Sequence, residues 1–160
     1  MSLEGMDAVL TALEERAPCF SFRTPEAREL AITALTHSSL SATRNNKELA
    51  KVGEAAGKAA AVEALFLSPG KHTGKHYNDI TLGFTTKNLG AIGKGLKLDE
   101  AMRLDKGVPY VSEEMFARGL EALLGVVKVT EGQEALLKAI KSLKIISLDE
   151  MVAPTLDVYK

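Results

Sequence analysis

Apolar residues recur at three- and four-residue spacing along almost the whole chain, and no pair of strands joined by a hairpin turn is visible. That period belongs to amphipathic helices. Met6 to Arg16 carries Val9, Leu10 and Leu13 at helical spacing. Thr24-Pro25-Glu26 reads as a helix start, with a capping threonine, a proline suited to the first turn and an acid at the positive end of the dipole. The helix that follows is predicted to bury Leu30, Ala31, Ala34 and Leu35. After a polar connection from Ser41 to Asn46, Lys47 to Leu67 is rich in alanine and predicts a long helix. Its expected inward stripe is Leu49, Val52, Ala56 and Ala59 or Ala60. Gly53 and Gly57 weaken it and imply a close neighbour, so this helix is expected at the centre of the molecule.

Ser68-Pro69-Gly70 ends that helix, and Lys71 to Asp79 reads as a loop. Thr85 to Lys97 returns to helical spacing through Leu89, Ile92 and Leu96. There Gly90, Gly93 and Gly95 either weaken the helix or admit another backbone. Gly107-Val108-Pro109 is a break. Ser112-Glu113-Glu114 then opens a helix carrying Met115, Phe116, Leu120, Leu123, Leu124 and Val127. Thr130-x-x-Gln133 has the form of a capping box before a last helix with Leu136, Leu137, Ile140 and Leu143. The expectation is an all-α protein with one domain over 6–147 and a tail over 148–160, broken at Pro154.

Composition narrows the class. With 160 residues, 46% hydrophobic and 26% charged, the chain has the balance of a globular protein with a real core. No apolar run approaches the length needed to cross a bilayer, so no membrane partner is expected. Cys19 is the single cysteine, which rules out an intrachain disulfide and reads as a small packed residue. A net charge of −1 argues against a strongly basic nucleic-acid binder, but the distribution is uneven. Leu67 to Lys97 holds five lysines (Lys71, Lys75, Lys87, Lys94 and Lys97) against one acid, Asp79, whereas the first 43 residues hold six acids and three arginines. A basic middle between acidic ends is either a one-sided field for a polyanion or a solvated face.

Several segments resemble one family in order and spacing. Asn46-Lys47-Glu48-Leu49-Ala50-Lys51-Val52-Gly53-Glu54-Ala55 is similar to the ribonuclease III signature Asn-Glu-Arg-Leu-Glu-Phe-Leu-Gly-Asp-Ala. Upstream, Ala34-Leu35-Thr36-His37-Ser38-Ser39 resembles the Ala-Leu-Thr-His-x-Ser segment that precedes it. Downstream, the stretch from Asn88-Leu89-Gly90 to Lys106-Gly107 resembles the family's second half, and Leu120-Glu121-Ala122-Leu123-Leu124-Gly125 resembles its Phe-Glu-Ala-Leu-Ile-Gly. The resemblance runs from about Met6 to Leu143. It implies the helical fold of the ribonuclease III domain, and a dimer formed around the signature helix with a second copy or another ribonuclease III-fold subunit. No segment resembles the double-stranded RNA-binding domain that follows the nuclease domain in bacterial ribonuclease III.

The family's chemistry uses four acids, because magnesium is a hard ion that prefers oxygen ligands and, once bound, activates water and stabilises charge on the scissile phosphate. Carried over by resemblance, the first pair of acids falls on Ala50 and Glu54 and the second on Arg118 and Glu121. One position has become a methyl group and another a fixed positive charge. The expectation is no metal, no cofactor and no catalysis, with Arg118 pairing with Glu121 three residues on. Glu48 lies on a different face from Ala50 and is a poor substitute. His37 is expected to be a hydrogen-bonded structural residue, and His72 and His76, in a loop with no acid or thiol beside them, are not expected to hold a metal. Gly90-x-x-Gly93-x-Gly95 lacks the preceding strand and following Gly-Lys-Ser of a phosphate loop.

By resemblance, degenerate members of this family are structural subunits of the mitochondrial large ribosomal subunit or partner subunits of kinetoplastid RNA-editing complexes. The expected function is therefore binding of structured or double-stranded RNA, ribosomal RNA first, through Lys71, Lys75, Lys87 and Lys94, in the mitochondrion or otherwise the cytoplasm. A working magnesium-dependent endonuclease with an atypical site is the competing expectation, and a dimeric scaffold that binds no RNA is a third.

Overall fold

In a computed structural model, residues 3–70 and 72–146 form seven α-helices and one short 3-10 turn, with no strand among the described residues. In chain order they are α1 (Leu3–Arg16), α2 (Pro25–Ala34), α3 (Lys47–Leu67), α4 (Gly74–Gly83), α5 (Thr86–Gly95), the 3-10 turn Leu98–Glu100, α6 (Glu113–Glu131) and α7 (Gln133–Ser142). The expected tail over 148–160 lies outside the described residues.

The helix starts follow local chemistry. Thr24 caps α2 by accepting from the Ala27 amide at 3.1 Å, with Pro25 in the first turn. Ser112 caps α6 through the Met115 amide at 3.2 Å. Two expectations fail at boundaries. Thr130 is inside α6, where its hydroxyl donates to the Val126 carbonyl at 2.7 Å. Gly132, at φ 94°, separates α6 from α7 instead of a capping box. The stretch expected as a loop, Lys71 to Asp79, enters a helix at Gly74. Its few apolar residues gave little periodicity. Ile80, which is buried, and Tyr77, which packs against the core, hold α4 in place.

The centre of the molecule is α6, not α3. Ten of its 19 residues are buried, the signature of a helix enclosed on all sides, and α3, α5, α2 and α7 pack around it. The buried line of α3 also differs from the expected one. It runs through Ala50, Gly53, Gly57, Ala60, Ala61 and Ala64; of the expected stripe Ala60 is buried and Leu49 and Ala56 are half-buried against the core, while Val52 is exposed. Contact with α6 is backbone to backbone at Gly53 and Gly125, so glycine and alanine fill that line. A Cβ on Gly53 would overlap the Glu121 carbonyl, and one on Gly125 would overlap the Leu49 carbonyl. Gly90 and Gly93 of α5 admit Glu113 and Phe116 of α6 in the same way, whereas Gly95 faces open space. Arg28 ties α2 to α1 through Asp7 at 2.8 Å and Glu14 at 3.0 Å.

Candidate functional site

The α3–α6 crossing fixes what stands beside it. Because the two backbones touch at Gly53 and Gly125, side chains one turn away on either helix look across a narrow gap. Lys47, Ala50, Lys51 and Glu54 from α3 and Arg118 and Glu121 from α6 line one cleft of about 420 Å³. All four positions carried over from the ribonuclease III signature therefore converge. Glu48 is exposed and outside the cleft.

The ion pairs differ from the expected one. Arg118 Nη2 donates to Glu114 at 3.0 Å, one turn back, and not to Glu121. Glu114 and Glu121 both lie within one turn of Arg118, and the half-buried Glu121 is taken up by Glu54 instead. Lys58 Nζ donates to Glu54 at 2.8 Å, which together with a hydrogen bond from Glu121 holds the Glu54 carboxyl below its ordinary range. Glu121 moves the other way, to about 7, because burial disfavours its charge and the Glu54 carboxylate stands beside it. Glu121 thus keeps a proton and donates it to Glu54, and the pair carries one negative charge between them over most of the acidic range.

His37 sits at the edge of this field. The Ser39 amide donates to its Nδ1 at 3.1 Å, so the proton of the neutral ring is on Nε2. Its pKa is lowered by burial and by the charges of Arg118 and Lys47. The ring is held by Ser39, and the Ser39 hydroxyl in turn accepts from the Asp105 amide at 3.1 Å. This is the hydrogen-bonded structural role expected of it.

The basic middle is less concentrated than its sequence. Lys87 and Lys94 lie seven residues apart on α5, on one exposed face, while Lys75 is in the first turn of α4. That places Lys75 about 12 Å along α4 from the junction with α5. Lys71 lies outside the described residues. His72 and His76 are spent on local structure. The His72 ring bonds the Ser68 carbonyl at 2.9 Å, and His76 Nδ1 accepts from the Thr73 amide at 3.0 Å. Among the described residues no three His, Cys, Asp or Glu side chains converge to hold a metal. Burial pushes the Cys19 thiol up, which makes it a poor nucleophile.

Sequence reasoning passed over Lys47, Lys51 and Lys58. The signal was present, since positions 47, 51, 54 and 58 share one face of a 3.6-residue helix.

The arrangement of seven helices, with the signature helix crossing a buried helix at glycine, is the fold of the nuclease domain of ribonuclease III. Two solved structures of that domain from Campylobacter jejuni are similar to this chain. One, described as showing structural flexibility in the region involved in its dimer formation, is 22% identical, covers 84% of this chain and 94% of its own, and has a TM-score of 0.72. The other, at 2.2 Å resolution, is 19% identical, covers 95% and 99%, and has a TM-score of 0.67. No model of a known protein family matches the sequence, and no curated protein matches it.

Proposed function

We propose that this chain is a non-catalytic ribonuclease III-fold subunit that binds structured RNA within a ribonucleoprotein, with the large subunit of the mitochondrial ribosome as the particle. The observation that carries the non-catalytic reading is the cleft. A magnesium site of this fold needs converging carboxylates with their charge available. Here Ala50 supplies a methyl group, Glu54 is paired with Lys58, and Lys47, Lys51 and Arg118 add positive charge to the walls. These residues do not fit a divalent cation.

The exposed face of α3 supports a dimer. Val52 and Val62 are 37% and 42% exposed, and with Ala55 and Ala59 they form a stripe at positions 52, 55, 59 and 62, opposite the buried glycine line. Its occupant is a second copy of this chain. Ribosomal RNA as ligand and the mitochondrial setting rest on the resemblance to degenerate members of the family.

Incubation of the purified protein with long double-stranded RNA and magnesium or manganese tests the reading. No cleavage is expected. Specific metal-dependent products that disappear in Glu54→Ala or Glu121→Ala would overturn it. Co-purification from the source cells with ribosomal subunits supports the ribosomal particle, and co-purification with editing factors replaces it.

A further inference from the structure

We propose that the cleft between α3 and α6 is an anion site, taking a phosphate group directly on Lys47, Lys51 and Arg118 where the same place in a nuclease takes a cation. The inference rests on the reading above in one respect only, that the cleft holds no magnesium.

Of the four cations around the cleft, Lys58 is committed to Glu54, and Arg118 uses only Nη2 on Glu114. The remaining guanidinium N–H groups of Arg118 are left for a ligand. Lys47 and Lys51 have no ion-pair partner among the described residues, although both stand on the cleft wall. They are four residues apart, so they rise from one face of α3 a single turn apart, and Arg118 faces them from α6. The Gly53 and Gly125 contacts set how closely the two helices approach. The carboxylates offer little opposition. Glu54 is held by Lys58 at 2.8 Å, and Glu121 hydrogen-bonds Glu54.

Between them, an arginine fork and two ammonium groups around a concave space match the donors that recognise phosphate. A cleft of about 420 Å³ falls in the range of small-molecule pockets, about 300–1,000 Å³. It admits a phosphate together with the sugar that carries it. The source is either an internal backbone phosphate of a duplex or a phosphate at a 5′ end.

The test is nuclear magnetic resonance of the full ¹⁵N-labelled chain, titrated separately with inorganic phosphate and with magnesium chloride at constant ionic strength. Phosphate is expected to shift the amides of Ala50 and Lys51 and the Arg118 side-chain N–H saturably. Arg118→Gln and Lys51→Gln are each expected to weaken the response about tenfold, with Arg118→Lys intermediate. Magnesium is expected to move none of these signals. Both residues have solvent-facing side chains, so the variants are expected to keep the dispersed spectrum of the folded protein. Competition of phosphate by two RNA duplexes, one with 5′ phosphates and one with 5′ hydroxyls, identifies the source. Equal competition assigns the backbone, and competition by the phosphorylated duplex alone assigns the end. A linear, unsaturable phosphate response, or a saturable magnesium response at Glu54 and Glu121, overturns the proposal. RNA binding through the α4–α5 lysines would survive that failure, and loss of RNA binding in those lysine variants alone would leave the phosphate response in place.

Discussion

Replacing Glu121 by glutamine isolates the electrostatics of the cleft. In the folded protein this carboxyl is pushed from 4.5 to about 7, first by burial and then by Glu54. Below pH 4.5 it is protonated in both the folded and unfolded chain. Between 4.5 and about 7 the unfolded chain ionises while the folded protein keeps the proton. Folding stability therefore falls as pH rises through that interval, and the loss is complete above 7. At about 1.4 kcal/mol per tenfold change in acidity the full shift corresponds to about 3 kcal/mol. Part of the Glu121 side chain meets water, and screening there brings the expected size to about 1–2 kcal/mol. Glutamine is neutral at every pH and still donates to Glu54. Glu121→Gln is expected to match the parent near pH 4.5 and to exceed it by that amount at pH 8. For a chain of this length that is a gain of about 2–8 °C in Tm. Glu54 and His37 titrate in both proteins, so the difference between the two pH profiles belongs to Glu121. Thermal unfolding at half-unit steps from pH 4.5 to 8.5 measures it, and the carboxyl carbon resonance of Glu121 is expected to titrate near 7. A difference that is flat across this range, or a variant less stable than the parent at pH 8, would refute the shared proton.

The glycines give a paired test by chemical denaturation. Gly53→Ala drives a methyl group into the Glu121 carbonyl and is expected to cost about 3 kcal/mol, whereas Gly95→Ala meets open space and is expected to stabilise by about 0.5 kcal/mol. Equal effects at the two sites would argue against the close α3–α6 crossing. Sedimentation is expected to show a dimer at micromolar concentration that Val52→Glu with Val62→Glu converts to monomer. A parent that is monomeric throughout would exclude a homodimer and point to a related subunit on that face. Changing Lys75, Lys87 and Lys94 to glutamine together is expected to flatten the slope of log affinity for RNA against log salt by about three units, one for each lysine withdrawn from a phosphate. An unchanged slope would remove RNA from this face.

How much of this was legible without the structure depends on the range of the interaction concerned. Helix positions came from local periodicity and capping. Pro25 after Thr24, the alanine-rich run from Lys47 and Ser112 before two acids each act within one turn, and α2, α3 and α6 begin where they indicate. Helix α4 was missed because its stability comes from burying Ile80 against distant residues, and Gly74 and Asn78 mask what little pattern it has. The order of the motifs also carried the fold, since a chain that resembles ribonuclease III at four places in sequence folds as that domain does. The tertiary structure alone decided which face of α3 turns inward. Periodicity favours burying Val52 with Leu49, but the line against α6 is glycine and alanine, with Leu49 half-buried beside it and Val52 exposed. It alone decided that Glu121 shares a proton with Glu54 and that Arg118 faces Lys47 and Lys51 across one gap. Those outcomes depend on burial and on charges brought together from α3 and α6, more than 60 residues apart in sequence, and no local pattern encodes them.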